Sequence, residues 1–309
     1  MTAARPIETT PITAVVLTFN EERNIAACLD SLTPWTAAVF VVDSGSTDGT
    51  VRMAERAGVT VVQHPFETHA AQWQWALSKL PIATEWVIAI DADQRVTPEL
   101  AAAIAGFVAA PGGAAGAYVN RRQIFRGRWI RHGGYYPKFL LKVFRRSRVT
   151  VDTADLVDHH FEVNGPTTVL RADLIEDNRN EAEIAVWTAK HNRYAVLQAR
   201  QELAASSGPR AGATALFDSP DARVRYLKQL WARLPLYWRP CLYVFYRYVL
   251  RLGLLDGKQG FIFHVLQAFW YRLLVDVNID ELRARASPAP SADPSMETTG
   301  PIGVEAPRR

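Results

Sequence analysis

The chain has 309 residues, of which 49% are hydrophobic and 21% charged; this excludes a fibrous or wholly disordered protein and allows one large α/β domain with an appendage. Its two cysteines, Cys28 and Cys241, lack the spacing of a zinc site or a redox pair, and a reducing setting is expected. Net charge is only +4, yet Ala222 to Lys258 carries eight Lys or Arg residues against the single acid Asp256, a basic and aromatic stretch suited to nucleic acid or to an anionic membrane surface.

Residues 1–11 lack the basic start and apolar core of a secretory signal and read as a flexible N-terminus. Ile12 to Leu17 is a continuous β-branched run, the pattern of a strand buried on both faces of a parallel sheet. A helix is predicted next, capped by Asn20, with Glu21 and Glu22 in its first turn. The unit repeats with strand Val39 to Val42, loop Ser44 to Gly49 and helix Thr50 to Arg56, ended by Gly58. Strand Val59 to Gln63, helix Ala70 to Leu80 and strand Trp86 to Ile90 follow, with Asp91 to Arg95 as the next loop. Such alternation means a parallel sheet with right-handed crossovers, and ligands bind beyond the carboxyl ends of its strands. Three polar loops, Thr18 to Glu21, Asp43 to Asp48 and Asp91 to Asp93, lie at that edge.

Beyond Ala101 the pattern weakens to an Ala- and Gly-rich helix and loop, then a mixed aromatic and basic stretch from Tyr118 to Val151. Val157 to Leu170 reads as strand, turn and strand, and Ala182 to Leu203 as a helix. Residues 206–220 read as a linker, 221–285 as helices broken by Pro235, Pro240 and Gly253, and 286–309 as a disordered tail. Arginines at 239, 247 and 251 oppose a spanning helix in Trp238 to Leu255, so an interfacial position is expected, with Trp231, Trp238, Trp270 and Tyr271 at headgroup level.

Two carboxylates one residue apart after a buried strand, Asp91 and Asp93, suit a hard cation that bridges a diphosphate. Asp43 opens Asp-Ser-Gly-Ser-Thr-Asp-Gly-Thr, where glycines permit close approach and the hydroxyls cap the next helix. TFNEE, VVDSGSTDGT and WVIAIDADQRVTPEL, in this order and spacing, resemble the signature of glycosyltransferase family 2, enzymes with the GT-A fold. RGRWIRHGGYY with Pro137, and KHNRYA from Lys190 to Ala195, resemble the bacterial lipopolysaccharide-core glucosyltransferases and their relatives within it.

The resemblance implies an α/β GT-A domain over residues 12–205, a nucleotide-sugar-binding sheet with helices on both faces, followed by C-terminal amphipathic helices. It implies that Thr18, Asn20, Glu21, Asp43 and Ser44 line the nucleotide, and that Asp91 and Asp93 hold Mg²⁺ or Mn²⁺ with the diphosphate. Arg126 and Arg131 would cover that diphosphate or receive an anionic acceptor. Relatives carry an acid where this chain has Gln94, and a Val-His-Glu-like motif where it reads Val157-Asp158-His159-His160. Asp158, then His159, is the expected catalytic base, with Glu176 and Asp177 as rivals.

The partners so implied are a nucleotide-sugar donor, most simply a UDP-sugar, a cell-envelope glycan or glycolipid acceptor, and anionic lipid at the cytoplasmic face of the inner membrane, with no nucleic acid. Rival readings are transfer to polyprenyl phosphate, a nucleotidyltransferase, and a non-catalytic membrane-associated scaffold. The second lacks a Gly-rich, basic loop for a triphosphate.

Overall fold

The computed structural model describes residues 9–152, 160–205, 226–227 and 230–286. Four parallel strands start the sheet: β1 (Thr10–Thr18), β2 (Thr36–Asp43), β3 (Thr60–Gln63) and β4 (Trp86–Asp91). They are joined by helices α1 (Ile25–Asp30), α2 (Thr50–Arg56) and α3 (His69–Lys79). Their spatial order is β3-β2-β1-β4, so the chain reverses direction across the sheet between β1 and β4. That switch point leaves a crevice beyond the carboxyl ends of the two strands.

The predicted runs form strands because they are apolar on both faces; Ile12, Ala14, Val15 and Val16 are all inaccessible to solvent. One face packs Ile25, Cys28 and Leu29 of α1 with Leu100 and Ile104 of α4 (Pro98–Ala109). The other packs Trp73, Ala76 and Leu77 of α3. Helices therefore cover both sides, as the patterning predicts.

Three expectations are corrected. Asn20 caps no helix: it sits at φ +55°, and α1 begins at Ile25 with Asn24 before it. Gln94–Val96 is not loop but a short strand, β5. The stretch Tyr118 to Val151 holds strands β6 (Gly116–Phe125), β7 (Arg128–Trp129), β8 (Phe139–Arg145) and β9 (Val149–Asp152). These pair antiparallel, and β11 (Thr167–Glu176) and β5 complete a mixed sheet in the order β3-β2-β1-β4-β8-β6-β11-β5. β10 (His160–Val163) pairs antiparallel with β9 in a separate ribbon.

Beyond the sheet, α5 (Ile184–Ala205) packs on α8 (Tyr271–Ala286) through Ala195, Ala199, Val275 and Ile279. Between them in sequence lie α6 (Trp238–Phe245), extended by a wider turn at Tyr246–Leu250, and α7 (Gly257–His264), extended likewise at Val265–Trp270. Pro240 does not break α6 but sits in its first turn, where its missing N–H costs no hydrogen bond. Tyr271 is 6% exposed and Trp270 packs beside Trp187, so neither reaches a headgroup level. The expected linker 206–220 and the tail beyond residue 286 lie outside the described residues.

Candidate active site

β1 ends at Thr18, and Thr18 Oγ1 donates to Asp43 Oδ1 at 2.9 Å across the parallel pair. Asp43 is fully buried and accepts three more bonds from its own turn: Gly45 N at 3.0 Å, Ser46 N at 2.8 Å and Ser46 Oγ at 2.5 Å. Four donors match the accepting capacity of a carboxylate. Gly45, at φ +86°, makes the turn possible.

Asn20 uses its left-handed backbone to meet this turn. Its N–H donates to Ser46 Oγ at 2.8 Å, and its side-chain oxygen accepts from Thr47 N at 2.8 Å. Glu21 N donates to Thr50 Oγ1, Glu22 N donates to Asp48 Oδ2, and Glu22 Oε2 accepts from Gly49 N between the same loops. Thr18, Asn20, Glu21, Asp43 and Ser44 thus come together in one knitted rim.

On the other side of β1, Leu17 pairs with Asp91, so the acidic pair begins one strand away from Thr18. Asp91 Oδ2 accepts from Lys142 Nζ at 2.9 Å; Lys142 lies on β8 and is only 4% exposed. Gln94, also buried, accepts from Asp91 N at 3.2 Å and donates to Glu176 Oε2 at 3.0 Å. At the position of a familial acid, then, an amide bridges the first aspartate to a different acid. Arg121 Nη1 donates to both Glu176 oxygens.

Asp93 is half-buried among these groups. Burial, then the charges of Glu176, Asp91 and Glu21, push its pKa well above the usual carboxylate range. Burial likewise raises Glu21, which accepts from Asn24 and Asn180. Asp177 N donates to Asp93 O at 3.0 Å, and Asp177 pairs with Arg95 at 2.9 Å. A shallow surface depression is lined by Asp93, Asp177, Asn24, Ala27, Arg95 and Arg179.

Crowded carboxylates whose ionisation is disfavoured are relieved by a bound cation. Mg²⁺ needs only one or two protein carboxylates when phosphate oxygens supply the rest. Among the described residues no group of three or more His, Cys, Asp or Glu is placed to hold a metal ion. Asp91 and Asp93 fit the open kind of site, with Lys142 already showing that a cation is accommodated at Asp91.

Arg126 and Arg131 lie on a different part of this edge. β6 runs parallel to β11 and antiparallel to β8, and continues five residues past its last β8 pair at Asn120 before turning into β7. β6 stays paired with β11 as far as Gln123, opposite Glu176, so the hairpin starts from the strand pair that holds Glu176. Both arginines are exposed, and Arg131 lies 5.4 Å from the Trp129 ring, which also carries Arg122 at 4.7 Å.

Asp158 and His159, the first choices for the base, lie outside the described residues. The rival pair Glu176 and Asp177 sits beside Asp93. Trp187, 3% exposed, is core, as its spacing suggests, and stacks on His191 at 3.5 Å between ring centres. Burial opposes the charge on Lys190, but Glu181 at 2.5 Å overrides it and raises its pKa.

The sequence reading missed Lys142, Arg121 and the asparagines 24, 178 and 180. Lys142 had a signal: a lone cation inside the apolar run FLLKVF is costly unless paired. Asn178 and Asn180 had none, since their partners Asn24 and Asn20 lie more than 150 residues away.

This sheet order, with acidic loops at the carboxyl edge, defines the class: a GT-A fold. The chain matches a mannosyltransferase from Pyrobaculum calidifontis, solved with GDP-mannose and Mn²⁺, with a TM-score of 0.50 at 16% identity over 90% of this chain and 89% of that one. Residues 13–164 match the family model Glycosyl transferase family 2. Residues 13–164 are a glycosyltransferase family 2 domain, and the chain is a glycosyltransferase.

Among curated relatives, the chain is 28% identical over 210 residues to the lipopolysaccharide core biosynthesis glycosyltransferase LpsC of Rhizobium meliloti, covering 65% of this chain and 74% of LpsC. It is also 39% identical over 92 residues to an uncharacterized glycosyltransferase of Rickettsia conorii, covering 30% of this chain and 32% of that one. Family membership sets aside the nucleotidyltransferase reading.

Proposed function

We propose that the protein transfers a sugar, with inversion, from a nucleoside-diphosphate sugar to a lipopolysaccharide or other cell-envelope glycan or glycolipid at the cytoplasmic face of the inner membrane. The observation that carries the reading is the meeting of Asp91, Asp93, Glu176 and Glu21 at the switch point of the sheet, with the Lys142 ammonium on Asp91. The resemblance to LpsC over 65% of the chain supports the acceptor class.

The rim built by Thr18, Asn20 and Asp43 shapes the nucleoside side of the crevice, with Asp43 holding the turn that carries Ser44. Asp91 and Asp93 would hold a divalent cation, which when bound would supply Lewis-acid stabilisation of a diphosphate. Lys142 keeps Asp91 in place and adds a fixed positive charge beside that group. Arg126 and Arg131, on the hairpin that grows from β6, meet the acceptor's anionic groups. A carboxylate or imidazole takes the proton of the attacking hydroxyl, with Asp158 and His159 as the candidates from sequence and Asp177, whose N–H bonds the Asp93 carbonyl, as a rival among the described residues.

The test is calorimetric titration of UDP with Mn²⁺ into the parent, Asp91→Ala, Asp93→Ala and Lys142→Met proteins. Each variant is expected to bind at least about tenfold more weakly, as loss of a charge-assisted contact implies. Equal binding by the parent and both aspartate variants would remove the metal assignment. For the base, Asp158→Asn, His159→Gln and Asp177→Asn are compared by kcat; the base is the one whose loss abolishes the acid limb of kcat against pH.

A further inference from the structure

On α6 and its extension, Trp238, Leu242, Phe245, Tyr246 and Val249 are all between 41% and 69% exposed. At intervals of four, three, one and three residues they fall on one helical stripe about 100° wide; Pro240 is buried on the opposite side and Arg239 at the flank. The turn into α7 then presents Leu250, Leu252, Leu254 and Leu255, at 62%, 51%, 44% and 52% exposure. Leu252 has φ +59°, a left-handed conformation that glycine adopts freely and leucine does not. What such a residue supplies there is its side chain. Soluble monomers rarely leave an apolar surface of this extent uncovered.

The surroundings are basic. Arg233, Arg251 and Lys258 are exposed along the same segment. Its only acid between residues 230 and 262, Asp256, is buried and bound to His132 through both Nδ1, at 2.7 Å, and the backbone N–H. The hairpin carrying Arg126, Arg128 and Arg131 is fastened alongside. Arg247 Nη1 donates to Gly133 O at 2.7 Å, and Gly133 N donates to Arg251 O at 2.8 Å. No acid occurs anywhere from residue 121 to residue 149. An apolar ridge rimmed by cations complements a bilayer with anionic headgroups. No described helix is long and apolar enough to cross a membrane.

We infer that the α6 stripe and the leucine turn before α7 form an in-plane membrane anchor, its leucines in the acyl boundary and the arginines of the 126–131 hairpin at the lipid phosphates. The hairpin also grows from β6, whose Gln123 pairs with Glu176 beside Asp93. Where the transferase reading holds, the acceptor is therefore lipid-borne and reaches the site along the membrane plane.

The full chain is sedimented with vesicles of phosphatidylethanolamine and phosphatidylglycerol, and with vesicles of phosphatidylcholine alone. The parent is expected to favour the anionic vesicles, and Leu254→Glu with Leu255→Glu to bind them at least about tenfold more weakly. Arg126→Gln with Arg128→Gln is expected to lose the preference for anionic lipid and its sensitivity to salt. Leu250→Ser provides a milder second variant, and unchanged melting temperatures confirm the fold of each.

A parent that stays in the supernatant, or a leucine variant that binds as the parent does, overturns the anchor. So does a parent that is dimeric without lipid and made monomeric by the leucine change, which would assign the surface to a second copy. UDP binding is measured in parallel: its loss in the parent sinks the transferase reading alone, and missing vesicle binding sinks the anchor alone.

Discussion

Asp93 ionises reluctantly because burial removes its water and Glu176, Asp91 and Glu21 repel its charge. The folded chain therefore binds the Asp93 proton more tightly than the unfolded chain. Its contribution to stability is present below the ordinary carboxylate range and is lost as pH rises toward the raised folded value. Asp93→Asn is accordingly expected to melt higher than the parent at neutral pH in chelator, while losing about a hundredfold or more of transferase activity. Thermal scans with and without Mn²⁺ check this, and a lower melting temperature for the variant in chelator would refute it. That a carboxylate stood here was legible in the sequence. That its neighbours included Glu176, more than eighty residues later, was not, because spacing carries no information about long-range register.

The hairpin from Phe125 to Pro137 shows how an element acquires a meaning its composition does not convey. RGRWIRHGGYY reads as a basic loop, yet Ile130 and Tyr135 are buried with Phe263 of α7. Gly133 and Gly253 admit the His264 ring; a Cβ on Gly133 would stand 2.0 Å from its Cε1. Arg247 stacks 4.2 Å from the Tyr135 ring centre beside it.

His264 is inaccessible to solvent, and burial followed by the Arg247 charge lowers its pKa to about 4. Below the ordinary histidine value the unfolded chain takes up a proton that the folded chain refuses. Stability is thus lost as pH falls from about 6.5 to about 4, by on the order of 3 kcal/mol for this one group. His264→Gln should lack that part of the acid limb in urea midpoints measured across the range; identical pH dependence in the two proteins would refute the assignment.

For the molecule as a whole, the C-terminal helices are joined to α5 by a buried charge cluster. Arg239, 1% exposed, donates through Nε to Asp276 at 2.6 Å, and its Nη2 lies 3.0 Å from Glu202 of α5. Removing one partner of a buried pair leaves an uncompensated charge, so Asp276→Asn is expected to cost about 3 kcal/mol. Urea unfolding measures it, and Arg239→Met with Asp276→Leu should recover most of the loss. A near-zero cost for the single change would mean that the helices are held by packing at Val275 and Ile279 alone.

Strands β1 to β4 and the loops at their ends were determined by the sequence itself, because runs buried on both faces and the breaks after them are local patterns. The pairing of β6, β8 and β11, the ammonium on Asp91, the task of Gln94 and the fastening of the 126–137 hairpin to α7 were decided only in the tertiary structure. Each depends on groups brought together from distant parts of the chain, where half-buried strands and polar bridges leave no periodic trace. The same holds for α6: its composition announced apolar and basic residues, but only packing decided which stripe stayed uncovered.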